Sequence, residues 1–268
     1  MSTSFAPCIG AVFSADIAVP DHSHAVRFYS QVLSTGDTPL WREADLMNNL
    51  GIPIIGLGAR TAEYASLPVQ WMPHIQVADV ALSVERAIAL GGQALMHAKS
   101  AEGESQFGVL LDPNGAAFGI IPLVDETALP QGVGDSPDSP ASTSMGRIAW
   151  LDLTIPDATS TRDFYQQVVG WGAQDLEMGQ GDDRYADYVM LGGDGNPAAG
   201  VCHARGPNAG LPPVWMIYLP VGDLAETLRR VPAEGGKVIK AMQKADGVYV
   251  YAMVQDPAGA HVALVPGT

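Results

Sequence analysis

Asp256-Pro257-Ala258-Gly259-Ala260 has a twin in this chain, Asp112-Pro113-Asn114-Gly115-Ala116. Each copy leads into a short apolar run. The first is Ala117-Phe118-Gly119-Ile120-Ile121 and the second His261-Val262-Ala263-Leu264-Val265. Asp-Pro followed by Gly is turn chemistry, because Pro presets φ and Gly accepts a positive φ at no steric cost. The apolar runs behind the turns read as short buried strands. The motif is therefore a hairpin turn that delivers the last strand of a repeated unit.

The repeat holds in register. The two motifs stand 144 residues apart, Asp112 to Asp256. The same offset maps Trp71-Met72 onto Trp215-Met216, Asp79 onto Asp223, and Gly91-Gly92 onto Gly235-Gly236. It also maps Gly51, Pro53 and Gly56 onto Gly195, Pro197 and Gly200. Nearer the start of each half the offset is 136: Asp16, Pro20-Asp21 and Phe28-Tyr29 match Asp152, Pro156-Asp157 and Phe164-Tyr165. The second half thus carries extra residues, placed between Gly179 and Asp194. A duplication explains so many matches in one register.

Composition bounds the function. The chain has 268 residues, with 14 basic against 29 acidic and a net charge of −15. Such an acidic surface repels phosphate backbones and anionic lipid, so no nucleic acid and no membrane partner is expected. No apolar run reaches the roughly 20 residues that span a bilayer. No basic residue precedes Arg27, which argues against a secretory signal. Cys8 and Cys202 lie at non-equivalent places in the two halves, so no disulfide framework is implied and a cytoplasmic location fits.

Local patterns place the elements. Val12 to Val19 reads as a strand, and His22 to Leu33 as a helix with Asp21 at its N-cap and Ala25, Phe28, Tyr29 and Val32 on one face. Short strands are expected at Thr38 to Glu43, Leu46 to Leu50 and Pro53 to Leu57, and a further strand at Val69 to Val77. Asp79 caps a helix over Val80 to Leu90, which Gly91-Gly92 stops. Strands at Gln93 to His97, Phe107 to Leu111 and Ala117 to Pro122 close the half. The second half repeats the plan, with strands at Ile148 to Ile155 and Val214 to Val221. Its helices are expected at Ala158 to Val169 and at Leu224 to Val231, where Pro232 sets the limit. Residues 125–145, rich in Pro, Gly, Ser and Asp, read as a flexible linker between domains 1–124 and 146–268.

This plan resembles the vicinal oxygen chelate superfamily, which includes glyoxalase I, bleomycin-resistance proteins and extradiol dioxygenases. The resemblance rests on the two Asp-Pro-x-Gly turns. It rests also on Trp150-Leu151-Asp152-Leu153-Thr154-Ile155-Pro156-Asp157 followed by Phe164-Tyr165 and Gly170-Trp171, and on Ala199-Gly200-Val201-Cys202 followed by Trp215. These stretches look like the tandem glyoxalase-like branch. The resemblance implies an α+β fold of four βαβββ modules, paired into two tandem curved-sheet domains with one cup per half. It also implies where a divalent ion would be held, seven residues before the Asp that opens each helix and seven beyond the turn Asp. Those positions here are Ser14, Met72, Trp150 and Met216 on first strands and Gly119 and Ala263 on last strands, with Gly56 and Gly200 as the other last-strand pair. None is a His, Asp or Glu, so no metal ligand and no cofactor is expected.

Strand alternation gives the inward sets. Trp150 shares a face with Asp152 and Thr154, Met216 with Tyr218, Ala263 with His261, and Gly200 with Cys202. Tyr249 and Tyr251 share a face. His203 points away by the same parity unless the strand end twists. The second cup is then an aromatic cleft with a few polar groups, a usual composition for a ligand pocket. Trp150, Thr154, Cys202, Met216, Tyr218, Tyr249 and Tyr251 are its candidate ligand contacts, and Asp152 and His261 its candidate acid–base groups. The first cup holds Ser14, Asp16, Met72, His74 and Phe107. Trp71 and Trp215 read as core packing, and Cys202 as an inert buried thiol. Two functions are consistent with this set. One is a metal-free binding protein for an aromatic or other apolar small molecule, monomeric or homodimeric. The other is an enzyme of lyase, isomerase or dioxygenase type, using Asp152, His261 and a Tyr, or a metal held by relocated ligands such as Asp152, His203 and His261.

Overall fold

The structure, a computed structural model of the chain, describes residues 8–33, 55–125, 148–179 and 181–267. The first half runs β1 (Val12–Val19), α1 (His22–Leu33), β2 (Ile55–Ala59), β3 (Met72–Val77), α2 (Val80–Ala89), β4 (Gln93–Lys99), β5 (Ser105–Leu111) and β6 (Ala117–Pro122). The second runs β7 (Trp150–Ile155), α3 (Ala158–Val169), β8 (Gly172–Met178), β9 (Tyr185–Leu191) and β10 (Pro197–His203). It continues with β11 (Trp215–Val221), α4 (Leu224–Ala233), β12 (Lys237–Gln243), β13 (Tyr249–Gln255) and β14 (His261–Pro266). The fold is α+β, with strand orders β2-β1-β3-β6-β5-β4 and β12-β13-β14-β11-β7-β10-β9-β8 in its two curved sheets. The strands expected at 38–43 and 46–50, and nearly all of the expected linker, lie outside the described residues.

Each helix starts where a carboxylate meets its orphan amides. Asp79 accepts from Leu82 N at 2.9 Å, Asp157 from Ser160 N at 3.0 Å and Asp223 from Glu226 N at 2.9 Å, while Asp21 accepts from His24 N at 3.0 Å. At the far end of α2, Gly91 takes a φ of 89°. A side chain at the next residue, Gly92, would run into Leu111 O and Ala87 O. The pair therefore stops the helix and lets the next strand pass close by. One expectation is corrected here. The last helix does not end at Val231 but runs to Ala233, with Pro232 inside its final turn. Pro lacks only its own N–H, and that turn closes through Glu234 N on Arg230 O at 2.9 Å and Gly236 N on Val231 O at 2.9 Å.

The described elements pack into two compact units, each drawing on both sequence halves. Among the described residues, one comprises 8–13, 72–125, 151–179 and 181–215, and the other 14–33, 55–71, 148–150 and 216–267. The duplicated motif explains the mixing. In the second unit Asp256 braces its own turn by accepting from Ala260 N at 2.8 Å, and its other oxygen accepts from Tyr29 OH at 2.8 Å. Tyr29 in turn accepts from Trp71 Nε1 at 2.9 Å. In the first unit Asp112 accepts from Asn114 N and Ala116 N at 2.8 and 2.9 Å. Tyr165 OH reaches it at 3.4 Å and accepts from Trp215 Nε1 at 2.9 Å. Trp71 and Trp215 are thus core residues whose indole N–H groups are satisfied internally.

Around these relays the rings meet edge to face. Tyr29 lies 5.4 Å from Trp71, and Phe118 lies 5.1 Å from Tyr165, centroid to centroid. Burying a side chain such as Phe118 contributes about 1.5–3 kcal/mol. Burial pushes both turn carboxyls, Asp112 and Asp256, above the usual carboxylate range, opposed by the hydrogen bonds they accept. It also pushes the Tyr29 and Tyr165 hydroxyls well above the usual phenol value.

Candidate functional site

The last-strand positions meet, in one register in all four modules, the residue two beyond each first-strand position. Asp16 pairs with Gly56, His74 with Gly119, Asp152 with Gly200 and Tyr218 with Ala263. In each pair the last strand supplies Gly or Ala and the first strand a larger polar side chain. A Cβ added at Gly119 would overlap the His74 ring, and one added at Gly56 would overlap the Asp16 carboxylate. The small residues make room for their partners, and the set does not fit a divalent ion. Met thioethers, an indole, Gly and Ala offer no hard or borderline donor, and Ser14 offers one buried hydroxyl. Among the described residues no group of three or more His, Cys, Asp or Glu side chains is placed to hold a metal ion.

In the second unit β11, β14, β13 and β12 form a continuous ladder, and pairing Tyr218 with Ala263, Ala263 with Met253 and Met253 with Lys240 sets its faces. Alternation then places Tyr218, His261, Met253 and Tyr251 on one side of the sheet, while Tyr249 lies beyond a register shift at Met242/Gln243. Tyr218, Tyr249, Tyr251 and His261 are all partly exposed. Lys240 Nζ lies 5.9 Å from the Tyr251 ring centroid, within cation–π range. Burial holds the His261 imidazole below its ordinary value, partly offset by Asp256. Met216, two residues before Tyr218, is buried and shapes the floor of this face. Trp150 is partly exposed, and its neighbour Ala149 donates to Tyr218 O at 2.8 Å.

The remaining candidates lie in the first unit. Cys202 pairs with Thr154 and Gly200 with Asp152 across β10 and β7, so these four share a face. Thr154 is buried, whereas Asp152 and Cys202 keep partial exposure. Burial pushes the Cys202 thiol far up, and the nearby Asp152 and Asp187 carboxylates push it the same way. It is a poor nucleophile in this setting.

Parity alone turns His203 away from this face, but it stands at the end of β10, and both its groups reach Asp187. Its backbone N–H donates to Asp187 Oδ1 at 2.7 Å, and its ring Nδ1 lies 3.2 Å from the same oxygen. Asp187 sits on β9, which no expected element covers and which lies within the stretch from Gly179 to Asp194 where the second half carries its extra residues. An Asp inside the otherwise aromatic and apolar run from Tyr185 to Leu191 was the signal available, since a carboxylate there is forced to find a partner.

Comparison with known proteins agrees with this geometry. Residues 147–264 match the family described as Glyoxalase/Bleomycin resistance protein/Dioxygenase superfamily, and residues 13–121 match a Glyoxalase-like domain. The Mycobacterium tuberculosis protein CFP32, which carries a glyoxylase designation, is 26% identical over 261 residues, covering 91% of this chain and 90% of its own. The anthracycline biosynthesis protein DnrV of Streptomyces peucetius is 30% identical over 131 residues, 44% of this chain and 46% of its own. Among solved structures, a 4-hydroxymandelate synthase variant from Streptomyces coelicolor superposes with a TM-score of 0.52 at 13% identity, over 97% of this chain and 93% of that one.

Proposed function

Because this chain belongs to the glyoxalase/bleomycin resistance protein/dioxygenase superfamily, the vicinal oxygen chelate proteins, we propose that it binds an aromatic or other apolar small molecule without a metal ion. The observation that carries this reading is the pairing of Tyr218 with Ala263. The position where a last-strand ligand would stand holds a methyl group, and the partner beside it is an aromatic ring. Tyr251 and Met253 extend that ring into an apolar wall, and His261 supplies a polar group on the same side. Aromatic walls give large contact area at low entropic cost, and Tyr hydroxyls add directional hydrogen bonds.

The likeness to an anthracycline biosynthesis protein supports a polycyclic aromatic ligand, whose size suits several rings side by side. Enzymatic turnover on the same scaffold is the second reading, and it would rest on Asp152 in the first unit or on His261 in the second. No helix of the described residues is long and apolar enough to cross a membrane. Both cysteines are free, which supports the cytoplasm as the location, and we take the working form to be a monomer or homodimer.

The test is a titration with an anthraquinone as probe. Trp150→Ala and Tyr218→Ala are expected to weaken binding by about 1–3 kcal/mol, as buried aromatic anchors do. His74→Ala, in the first unit, is expected to change it less. The reverse pattern would move the site to the first unit. Conversion of the probe that is lost in Asp152→Asn or in His261→Gln would establish the enzyme instead, and would say which unit carries it.

A further inference from the structure

The carboxylate of Asp187 is almost wholly buried, with a side-chain exposure of 1%, and only one of its oxygens is accounted for. Oδ1 takes both groups of His203, at 2.7 and 3.2 Å. Oδ2 is buried and has no hydrogen-bond partner. A buried polar oxygen without a partner forfeits its hydration for nothing, so native structures keep few of them.

The surroundings narrow what would complete it. By the β9–β10 register, in which Val201 pairs with Tyr188, Asp187 stands opposite Cys202. Its neighbours on that face are Cys202, Thr154 and Asp152, so a second carboxylate shares the region. Arg205 lies over the Tyr185 ring and Arg162 over the Tyr188 ring, each at 4.5 Å, and Arg184, which precedes Tyr185, is exposed. Arg162 also pairs with Asp163. Among the described residues the one basic group at Asp187 is His203, and it engages the oxygen that is already served. The region is not sealed, because Cys202, His203, Tyr185 and Asp152 all keep partial exposure.

We propose that Asp187 Oδ2 is the anchor of a binding site in this unit for a protonated amine. The ammonium donates to Oδ2, and the rings of Tyr185 and His203, which meet edge to face at 5.6 Å, form one wall of the site. A charge-assisted N⁺–H···O⁻ bond is roughly twice as strong as a neutral one, and it matches a buried acid in a region short of free cations. This site is separate from the aromatic wall proposed above and does not depend on it.

The test uses the full chain and three probes of one shape, benzylamine, benzyl alcohol and toluene. The reporter is the His203 backbone amide, read by nitrogen-15 NMR because its proton is donated to Asp187. Benzylamine is expected to shift that amide saturably and to bind on the order of tenfold more tightly than benzyl alcohol. Toluene is expected to leave the amide in place. Asp187→Asn should abolish the preference for the amine, and His203→Ala, followed at neighbouring amides, should preserve it. The comparison of the three probes on the unaltered protein stands whether or not Asp187→Asn folds. Equal binding of benzyl alcohol and benzylamine, an amide that no probe moves, or a preference that survives Asp187→Asn would each overturn the proposal.

Discussion

The imidazole of His74 occupies the space into which a side chain at Gly119 would project. The two residues are direct partners across β3 and β6, and a Cβ on Gly119 would overlap the ring. Asp16 and Gly56 stand in the same relation. The polar group of each pair has settled on the first strand, and the last strand has been stripped to admit it.

A last-strand ligand therefore cannot be restored by one substitution. Gly119→Glu is expected to destabilise the protein by about 1–3 kcal/mol through overpacking. In a His74→Ala background the same change should cost clearly less, because the ring is gone. Urea unfolding of the two single variants and the double variant gives the coupling energy. Strict additivity would contradict the overlap.

The two Trp–Tyr–Asp relays should differ in strength. Tyr29 reaches its turn carboxylate at 2.8 Å, whereas Tyr165 reaches its own at 3.4 Å. Both tyrosines accept from a buried indole at 2.9 Å, so either Phe replacement leaves a buried donor unpaired. Each is expected to cost about 1–3 kcal/mol. Tyr29→Phe should be the costlier, since it also removes the shorter bond to carboxylate. Chemical denaturation of the two variants ranks them, and a larger loss in Tyr165→Phe would contradict the geometry.

His261 gives a pH signature. Burial lowers its folded-state value below the ordinary 6.5. The unfolded chain therefore binds the proton first as pH falls. The contribution of His261 to stability is present above about 6.5 and is lost as pH drops from there through the lowered folded value. Stability measured against pH should decline in that window for the wild type and decline less for His261→Gln. Identical profiles would show that the imbalance lies elsewhere.

Much of the architecture was legible because it was written twice. The Asp-Pro-x-Gly turns, the Asp caps and the Gly pairs are local signals, and each stands where short-range chemistry put it. Pro232 misled because a missing N–H is tolerated in a last turn that closes around it. The site was legible only as far as alternation holds. It grouped Asp152 with Thr154 and Gly200 with Cys202 along their strands, and only the register between those strands shows that the two pairs meet. At His203 the strand ends and the backbone no longer enforces the face. Asp187 escaped because its role depends on a partner 16 residues away. The link from Tyr29 to Asp256 spans 227 residues, and no local pattern announces such a contact.

The most direct test of metal-independent binding is a calorimetric titration of the anthraquinone probe into protein stripped with EDTA, repeated after adding Zn²⁺, Ni²⁺, Mn²⁺ or Fe²⁺. The donor set at Ser14, Met72, Trp150, Met216, Gly56, Gly119, Gly200 and Ala263 predicts saturable binding by the stripped protein, with affinity unchanged when any of the four ions is present. Binding that appears only with an ion, together with about one tightly held ion per half by elemental analysis, would contradict it.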